Sequence, residues 1–294
     1  MSPDKTETPP TGHRPKVGPA GWTPPADGRK QRLLYFTRAV GYEHSAVCRK
    51  GDEPSFSEKY LTEMGSRAGF EVQCTKDGRV FDGDLDRYDC LVFYTLGDVT
   101  RPDLRHTPPM TLEGKQKLLE AIAAGKGFVG FHAAADTFYG EGLDPYIDMI
   151  GAEFCGHGLE QEAAMRVTSP SFPGMQGIGD SFRLFEEWYT FKKIRTDMHV
   201  ILALETEGMV GKIYDRPPLP ATWARMFGSG RVFYTSLGHR EDVWAEAVFQ
   251  QIALGGLAWA LGNVDADVTP NFNQVTPKGR QHEKVPYEPG TVSR

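Results

Sequence analysis

The chain has 294 residues and a net charge of −6, with 33 Lys and Arg against 39 Asp and Glu. That length can bury a substantial core in one large domain or two small ones, and the scattered cations argue against a nucleic-acid footprint. No apolar run is long enough to span a bilayer, and the start, MSPDKTETPPTGHRPKVGPAGWTPPADGRKQ, lacks the apolar segment of a signal peptide. A soluble protein is expected, and nothing separates a cytoplasmic from a periplasmic location.

Residues 1–30, rich in Pro, Gly, Thr and charge, have little to bury and are expected to form a disordered or extended tail. Leu33–Phe36 is a short apolar run with β propensity. Ser55 to Ala68 follows as an amphipathic helix, with Phe56, Tyr60, Leu61 and Met64 on one side and Gly69 closing it. Phe70-Glu71-Val72 starts a second strand, and Cys90–Tyr94 is a third, continuous enough to be buried on both faces.

Thr111 can cap a helix running to Ala124, and Gly127–Phe131 is the next strand. Residues 151–225 are less regular and predict extra β structure. Met198–Leu204 and Arg231–Leu237 are later strands, and Trp244–Leu261 reads as one long, nearly all-apolar, buried helix. The prolines of 264–294 predict a second extended tail without regular helix. Residues 31–263 are therefore one α/β domain, a parallel sheet sandwiched between helices, with additional β structure in the middle third.

Four cysteines, at 48, 74, 90 and 155, form no CxxC pair and no ligand spacing with histidine. Cys74 and Cys90 lie in strand-like runs as small hydrophobes, whereas Cys155, in EFCGHG, stands among polar, flexible residues. P-loop, GxGxxG, HExxH and GxSxG signatures are absent, which removes nucleotide and serine-esterase chemistry from the leading possibilities.

In open α/β sheets ligands bind at the carboxyl ends of the strands. A histidine stands just past such an end three times: His44 after LLYFTRAVGYE, His132 after FVGF and His239 after RVFYTSLG. One such residue is ordinarily structural, but three at equivalent positions have no packing reason. Gly41, Gly130 and Gly238 flank them, either as turn residues or to admit a ligand. After His132, three alanines leave room before Asp136.

Glu241 stands two residues beyond His239, where a carboxylate can fix the tautomer of an imidazole, with Arg240 between them. The alternative for Glu241 is a surface charge. EEWY, residues 186–189, offers Glu187 and Tyr189 beside Trp188 for a sugar, or else an ordinary strand edge. His157, in CGHG, is a loop histidine that could fold over a site or stay solvated.

GFVGFHAAADTF, GAEFCGHG, EEWY, GSGRVFYTSLGHREDVW and the late WALG together resemble the trehalose-utilisation (ThuA-like) family, over about residues 31–263. The resemblance implies a class I glutamine-amidotransferase-like, flavodoxin-like fold, in which His239 and Glu241 match that superfamily's His-x-Glu pair. The elbow that would carry a nucleophilic cysteine holds His132 and Ala133, so glutamine hydrolysis is not expected. Sugar catabolism is implied instead, with cleavage or conversion of 3-keto-glycosides as the reaction class. Two departures stand out: Ser169-Pro170 replaces a His-Pro pair, and Glu186 replaces an aspartate.

The expectation is an enzyme whose partner is a small-molecule sugar or glycoside, with no nucleic acid and no membrane, and with a homo-oligomer left open. His132 or His239 would be the base and the other the acid, with Glu241 in support. Asp136, His157, Glu187, Tyr189 and Arg240 would bind substrate. His44, His132 and His239 could hold a divalent metal, zinc or similar, that polarises the ketone; no nucleotide is expected. The rivals are a non-catalytic carbohydrate-binding or scaffold protein and a metal-independent hydrolase of another substrate class.

Overall fold

The apolar runs of the first half become parallel strands. A computed structural model describes residues 28–281 and 290–293, so the N-terminal stretch expected as a tail lies almost entirely outside the described residues. β1 (Arg32–Phe36) leads through α1 (Phe56–Ala68) to β2 (Glu71–Thr75). β3 (Cys90–Phe93) leads through α2 (Leu112–Ala123) to β4 (Gly127–Phe131). A capping box starts α1: the Ser55 hydroxyl accepts from Glu58 N while the Glu58 carboxylate accepts from Ser55 N. Gly69 ends it in the left-handed conformation at φ 88°. Leu61 and Met64 are buried on the inner face, whereas Phe56 and Tyr60 are only half-buried and stack on each other.

The middle third adds α3 (Pro145–Ile150), β5 (Glu153–His157), β6 (Gln161–Val167), β7 (Ser181–Glu186), β8 (Thr190–Lys192) and β9 (His199–Glu205). β10 (Leu219–Phe227) and β11 (Gly230–Thr235) follow. One nine-stranded sheet runs β2-β1-β3-β4-β11-β10-β9-β6-β7. Its first five strands are parallel and in the flavodoxin-like order, with Leu34 opposite Leu91, Val92 opposite Val129 and Val129 opposite Phe233. The last four pair antiparallel, which is the extra β structure anticipated from the irregular middle. The fold is therefore α/β with a largely parallel central sheet and an antiparallel extension.

The single helix expected from Trp244 to Leu261 is two. α4 (Glu241–Ala245) and α5 (Ala247–Ala260) are separated by Glu246, whose ψ of 131° is extended. Each piece is anchored to a different target. The Trp244 indole donates to Gly238 O, while Gly256 of α5 packs against the Phe233 ring, where a Cβ would come within 2.5 Å. α4 contacts both α5 and α1, and α2 packs with α3.

Beyond Asn263 the chain stays on the sheet. The Asn271 side chain bonds both Val200 N and Val200 O, and α6 (Phe272–Val275) is one turn between Pro270 and Pro277, too short for either proline to interrupt. Near the end, β12 (Val292–Ser293) pairs antiparallel with β5, completing a small β12-β5-β8 sheet beside the main one. CGHG is correspondingly strand rather than loop up to His157, and Cys155 is buried.

Candidate active site

All parallel strands of the main sheet point their carboxyl ends the same way, and the loops that leave them meet there. The loop after β1 turns at Gly41, φ 109°, and brings in His44, 3 % exposed. Lys76 pins this loop from beneath, donating to Thr37 O at 2.7 Å and Val47 O at 2.8 Å and lying 3.1 Å from the Glu43 carboxylate. Arg38, fully buried, ties the next loop by its contacts with Asp103, Thr107 O and Arg101 O.

β4 ends in a sharp turn at His132, which sits at φ 40° although it has a Cβ. Such a conformation persists only where its surroundings over-determine it. Here the Tyr234 hydroxyl donates to His132 O at 2.7 Å, and His132 Nδ1 lies 2.7 Å from Ser236 O. A carbonyl only accepts, so Nδ1 carries the proton and Nε2 keeps its lone pair. The buried alanines 133–135 and Gly130 allow this tight turn, since a Cβ on Gly130 would press on Ile150, Tyr234 and Ala134 at 3.0–3.2 Å.

Glu187 comes from the segment between β7 and β8. Trp188, fully buried, fixes that segment by donating to Gln161 O, and its own carbonyl accepts from the Tyr214 hydroxyl. Glu187 Oε1 lies 3.3 Å from both His132 Nε2 and His239 Nδ1, and Oε2 lies 3.2 Å from His157 Nδ1. Neither His132 Nε2 nor His239 Nδ1 points at the carboxylate well enough to form a hydrogen bond, and both are buried without one.

The rings of His44, His132 and His239 form a near-equilateral triangle with centroid separations of 5.0, 5.1 and 5.2 Å. One ligand atom from each of these three and one from Glu187 all lie within 4.8 Å of one another. Three imidazoles and a carboxylate, with two buried and unsatisfied nitrogens among them, are a donor set suited to a divalent first-row ion such as zinc. The other nitrogens complete the pattern, His132 Nδ1 on a backbone carbonyl and His239 Nε2 facing Glu160 Oε1 at 3.2 Å.

Burial pushes His132 down to about 4, and burial together with the neighbouring imidazoles holds His44 well below its ordinary value, so both stay neutral. His239 moves the other way. Burial works against its cation, but Glu187, Glu186 and Glu160 outweigh it. For Glu187 burial is likewise overcome, by the His132 and His239 rings, which hold the carboxyl well below the usual range. Burial pushes Glu186 up to about 7 against the pull of three backbone N–H donors.

A cavity of about 370 Å³ opens over the cluster, with His44 and Glu187 in its wall. Asp136, His157 and Tyr189 also line it, so these expected substrate contacts surround one space. Tyr189 packs against His132 with centroids 4.0 Å apart and ring planes tilted by 37°. Glu241 is not brought in as expected. It is exposed in the first turn of α4, because that turn buries Val243 and Trp244, and the carboxylates next to His239 are Glu160 and Glu187. Arg240 points to Glu160 and Asp242.

Glu160 was not among the sequence candidates and carried no signal there; Glu186, singled out within EEWY but given no role, accepts from the backbone of Gly238 and Arg240. Ser169 lies away from the cluster, bonded to His199 Nε2 at 2.8 Å. Among the described residues no helix is long and apolar enough to cross a membrane.

The fold is shared with solved structures. A protein described as ThuA-like from Bacteroides uniformis ATCC 8492 is 18% identical, with 79% of this chain and 91% of that one covered and a TM-score of 0.58. Another from Parabacteroides merdae ATCC 43184 is 19% identical, with 82% and 93% covered and a TM-score of 0.57. Among curated proteins none matches. The sequence model of the ThuA family, described as trehalose utilisation, matches residues 32–260. With most of its length matched and its site built on that same stretch, the chain belongs to the ThuA family.

Proposed function

We propose that the chain is a sugar-processing enzyme that cleaves a 3-keto-glycoside by elimination, with a divalent metal held by His44, His132, Glu187 and His239. The observation that supports this most is the convergence of these four donors within 4.8 Å of one another, with His44 and Glu187 in the wall of a ligand-sized cavity. When bound, the ion would act as a Lewis acid on the ketone oxygen and so acidify the neighbouring C–H.

The chain's own residues do the rest. His132 and His239 are committed to the cluster, so the proton is taken by His157, which lines the cavity. Its Nδ1 lies 2.8 Å from Gly158 O, which leaves Nε2 as the acceptor. The carbon–hydrogen bond beside the ketone breaks towards Nε2, its electron pair forms the C=C bond, and the bond from the anomeric carbon to the glycosidic oxygen breaks. That oxygen takes a proton from a water molecule, which is re-protonated by His157 Nε2, and it leaves as the alcohol. Tyr189 and Phe154, with ring centroids 4.2 Å apart, shield the cluster on one side.

The test measures metal content of the purified full chain by mass spectrometry, then turnover of a 3-keto-glycoside and its unoxidised parent before and after chelation. Metal in near-stoichiometric amount and chelator-sensitive turnover of the keto form alone are expected. Tight sugar binding with no turnover under any metal would replace the enzyme with a carbohydrate-binding protein.

A further inference from the structure

Four residues around the cavity come from one small sheet. β5 supplies Phe154 and His157, the segment entering β8 supplies Tyr189, and β12 supplies Val292. Among the described residues the β5–β8 ladder ends at Gly156 opposite Thr190, so His157 lies one residue beyond it. Its ladder partner is Val292, which comes from far along the chain.

Residues directly opposite in an antiparallel pair point to the same face, with Cβ atoms about 4.5–5.5 Å apart. The Val292 side chain therefore stands beside the His157 imidazole, and both line the cavity. The same imidazole faces the Phe154 and Tyr189 rings, at centroid separations of 6.0 and 6.2 Å. β12 is seated by Gly290, at φ 85°, where a Cβ would come within 2.5 Å of the Leu159 side chain. Ser293 continues the ladder opposite Gly156.

On the sugar-enzyme reading in which His157 takes the proton, we propose that β12 belongs to the active site and that Val292 is a positioning residue, holding the His157 imidazole at the substrate's acidic C–H bond. One end of the ring is fixed, with Nδ1 2.8 Å from Gly158 O and 3.2 Å from Glu187 Oε2. Contacts at one nitrogen still let the ring tilt, and Nε2, at the far end, moves furthest. A β-branched side chain is stiff at χ1, so Val292 presents a fixed wall against that tilt. Nε2 is the atom that takes the proton, and a displacement of about 1 Å at a reacting atom costs as much as 10²-fold in rate. Val292 is not among the four donors and carries no reactive group, so an effect on the chemical step runs through His157.

The test compares the metal-loaded full chain with Val292→Ala and Val292→Ile, changes at a position 41% exposed that the fold should tolerate. On a 3-keto-glucoside, Val292→Ala is expected to lower kcat roughly tenfold or more with KM within about threefold of the wild type. Val292→Ile restores the β-branched wall and should recover kcat relative to Val292→Ala. Metal per chain should be the same in all three. A second readout needs no substrate. Diethyl pyrocarbonate acylates an unprotonated imidazole nitrogen, and mass spectrometry of the peptide that holds His157 gives the rate at that residue. This rate should rise several-fold in Val292→Ala and fall back in Val292→Ile. An acylation rate unchanged by Val292→Ala overturns the proposal, as does a loss confined to KM. A wild type that turns over no keto-glucoside removes the enzyme reading instead, and the acylation rates then decide by themselves whether Val292 positions His157.

Discussion

The Glu186 carboxylate accepts the backbone N–H of Gly238 at 2.8 Å, so an acid at the end of one strand shapes the turn that carries a histidine from another. Arg240 N and Glu187 N donate to the same side chain. From the other side, Gly238 O accepts from the Tyr94 hydroxyl and the Trp244 indole, both at 3.0 Å. Gly238 itself has φ 106°, a conformation that a side chain would oppose. The turn that carries His239 is thus held by three side chains, Glu186, Tyr94 and Trp244, none of which is among the four donors of the cluster.

Replacing Glu186 by Ala is expected to leave buried N–H groups without an acceptor. The cost is about 1–3 kcal/mol, visible as a lowered melting temperature. Metal content should drop in the molecules that remain folded, because His239 loses its fixed place. A normal melting curve with normal metal content would show that the turn holds itself.

Acid stability should depend on Glu58. Its carboxylate receives Arg49 Nε at 2.8 Å, Arg49 Nη2 at 2.7 Å, Ser55 N at 2.8 Å and the Thr37 hydroxyl at 3.2 Å. Burial opposes the charge, but the hydrogen bonds from Arg49 and Ser55 outweigh it and lower the carboxyl below its ordinary 4.5. The folded form therefore holds its proton less tightly than the unfolded one. The resulting stabilisation is complete above about 4.5 and is lost as pH falls through the lower folded value. Glu58→Gln should cost roughly 1.5–3 kcal/mol at pH 7, and denaturant midpoints for the two proteins should converge on acidification. A constant gap from pH 7 to pH 3 would contradict this.

The strand-end histidines were legible because a short, continuous apolar run followed or flanked by His and Gly reports both a doubly buried strand and its exit. Their carboxylate partners were not legible. Glu160 precedes β6 in a polar context and reaches His239 only because Gln161 pairs with Glu186 across two antiparallel strands. Glu241 looked suitable at two residues' distance, yet the turn into α4 sends it to solvent. CGHG looked like a loop because its second strand partner, β12, arrives from the other end of the chain. Long-range pairing decided each of these, and local pattern carries no record of it.

Cys155→Ser should retain turnover within a factor of a few. Burial raises the thiol, leaving little thiolate at neutral pH, and the strand-to-helix elbow is occupied by His132. Steady-state rates at equal folded concentration check this. A loss of orders of magnitude with the fold retained would point to thiol chemistry.

His239→Ala and Glu241→Gln separate the cluster from its neighbour in sequence. His239 Nδ1 is one of the two buried, unsatisfied nitrogens aimed at the centre, so its removal takes away a donor rather than a packing contact alone. Turnover should fall by roughly 10²–10⁴-fold, with metal content reduced in parallel and the protein still folded. A purely structural strand-end histidine would instead cost about 0.5–3 kcal/mol of stability and leave each folded molecule active. Glu241 is exposed and outside the four donors, so Glu241→Gln should change metal content little. Measuring melting curves, metal per chain and rates for both variants distinguishes the cases. Unchanged metal in His239→Ala would remove it from the donor set, and a metal-free Glu241→Gln would restore the His-x-Glu pair that the sequence suggested.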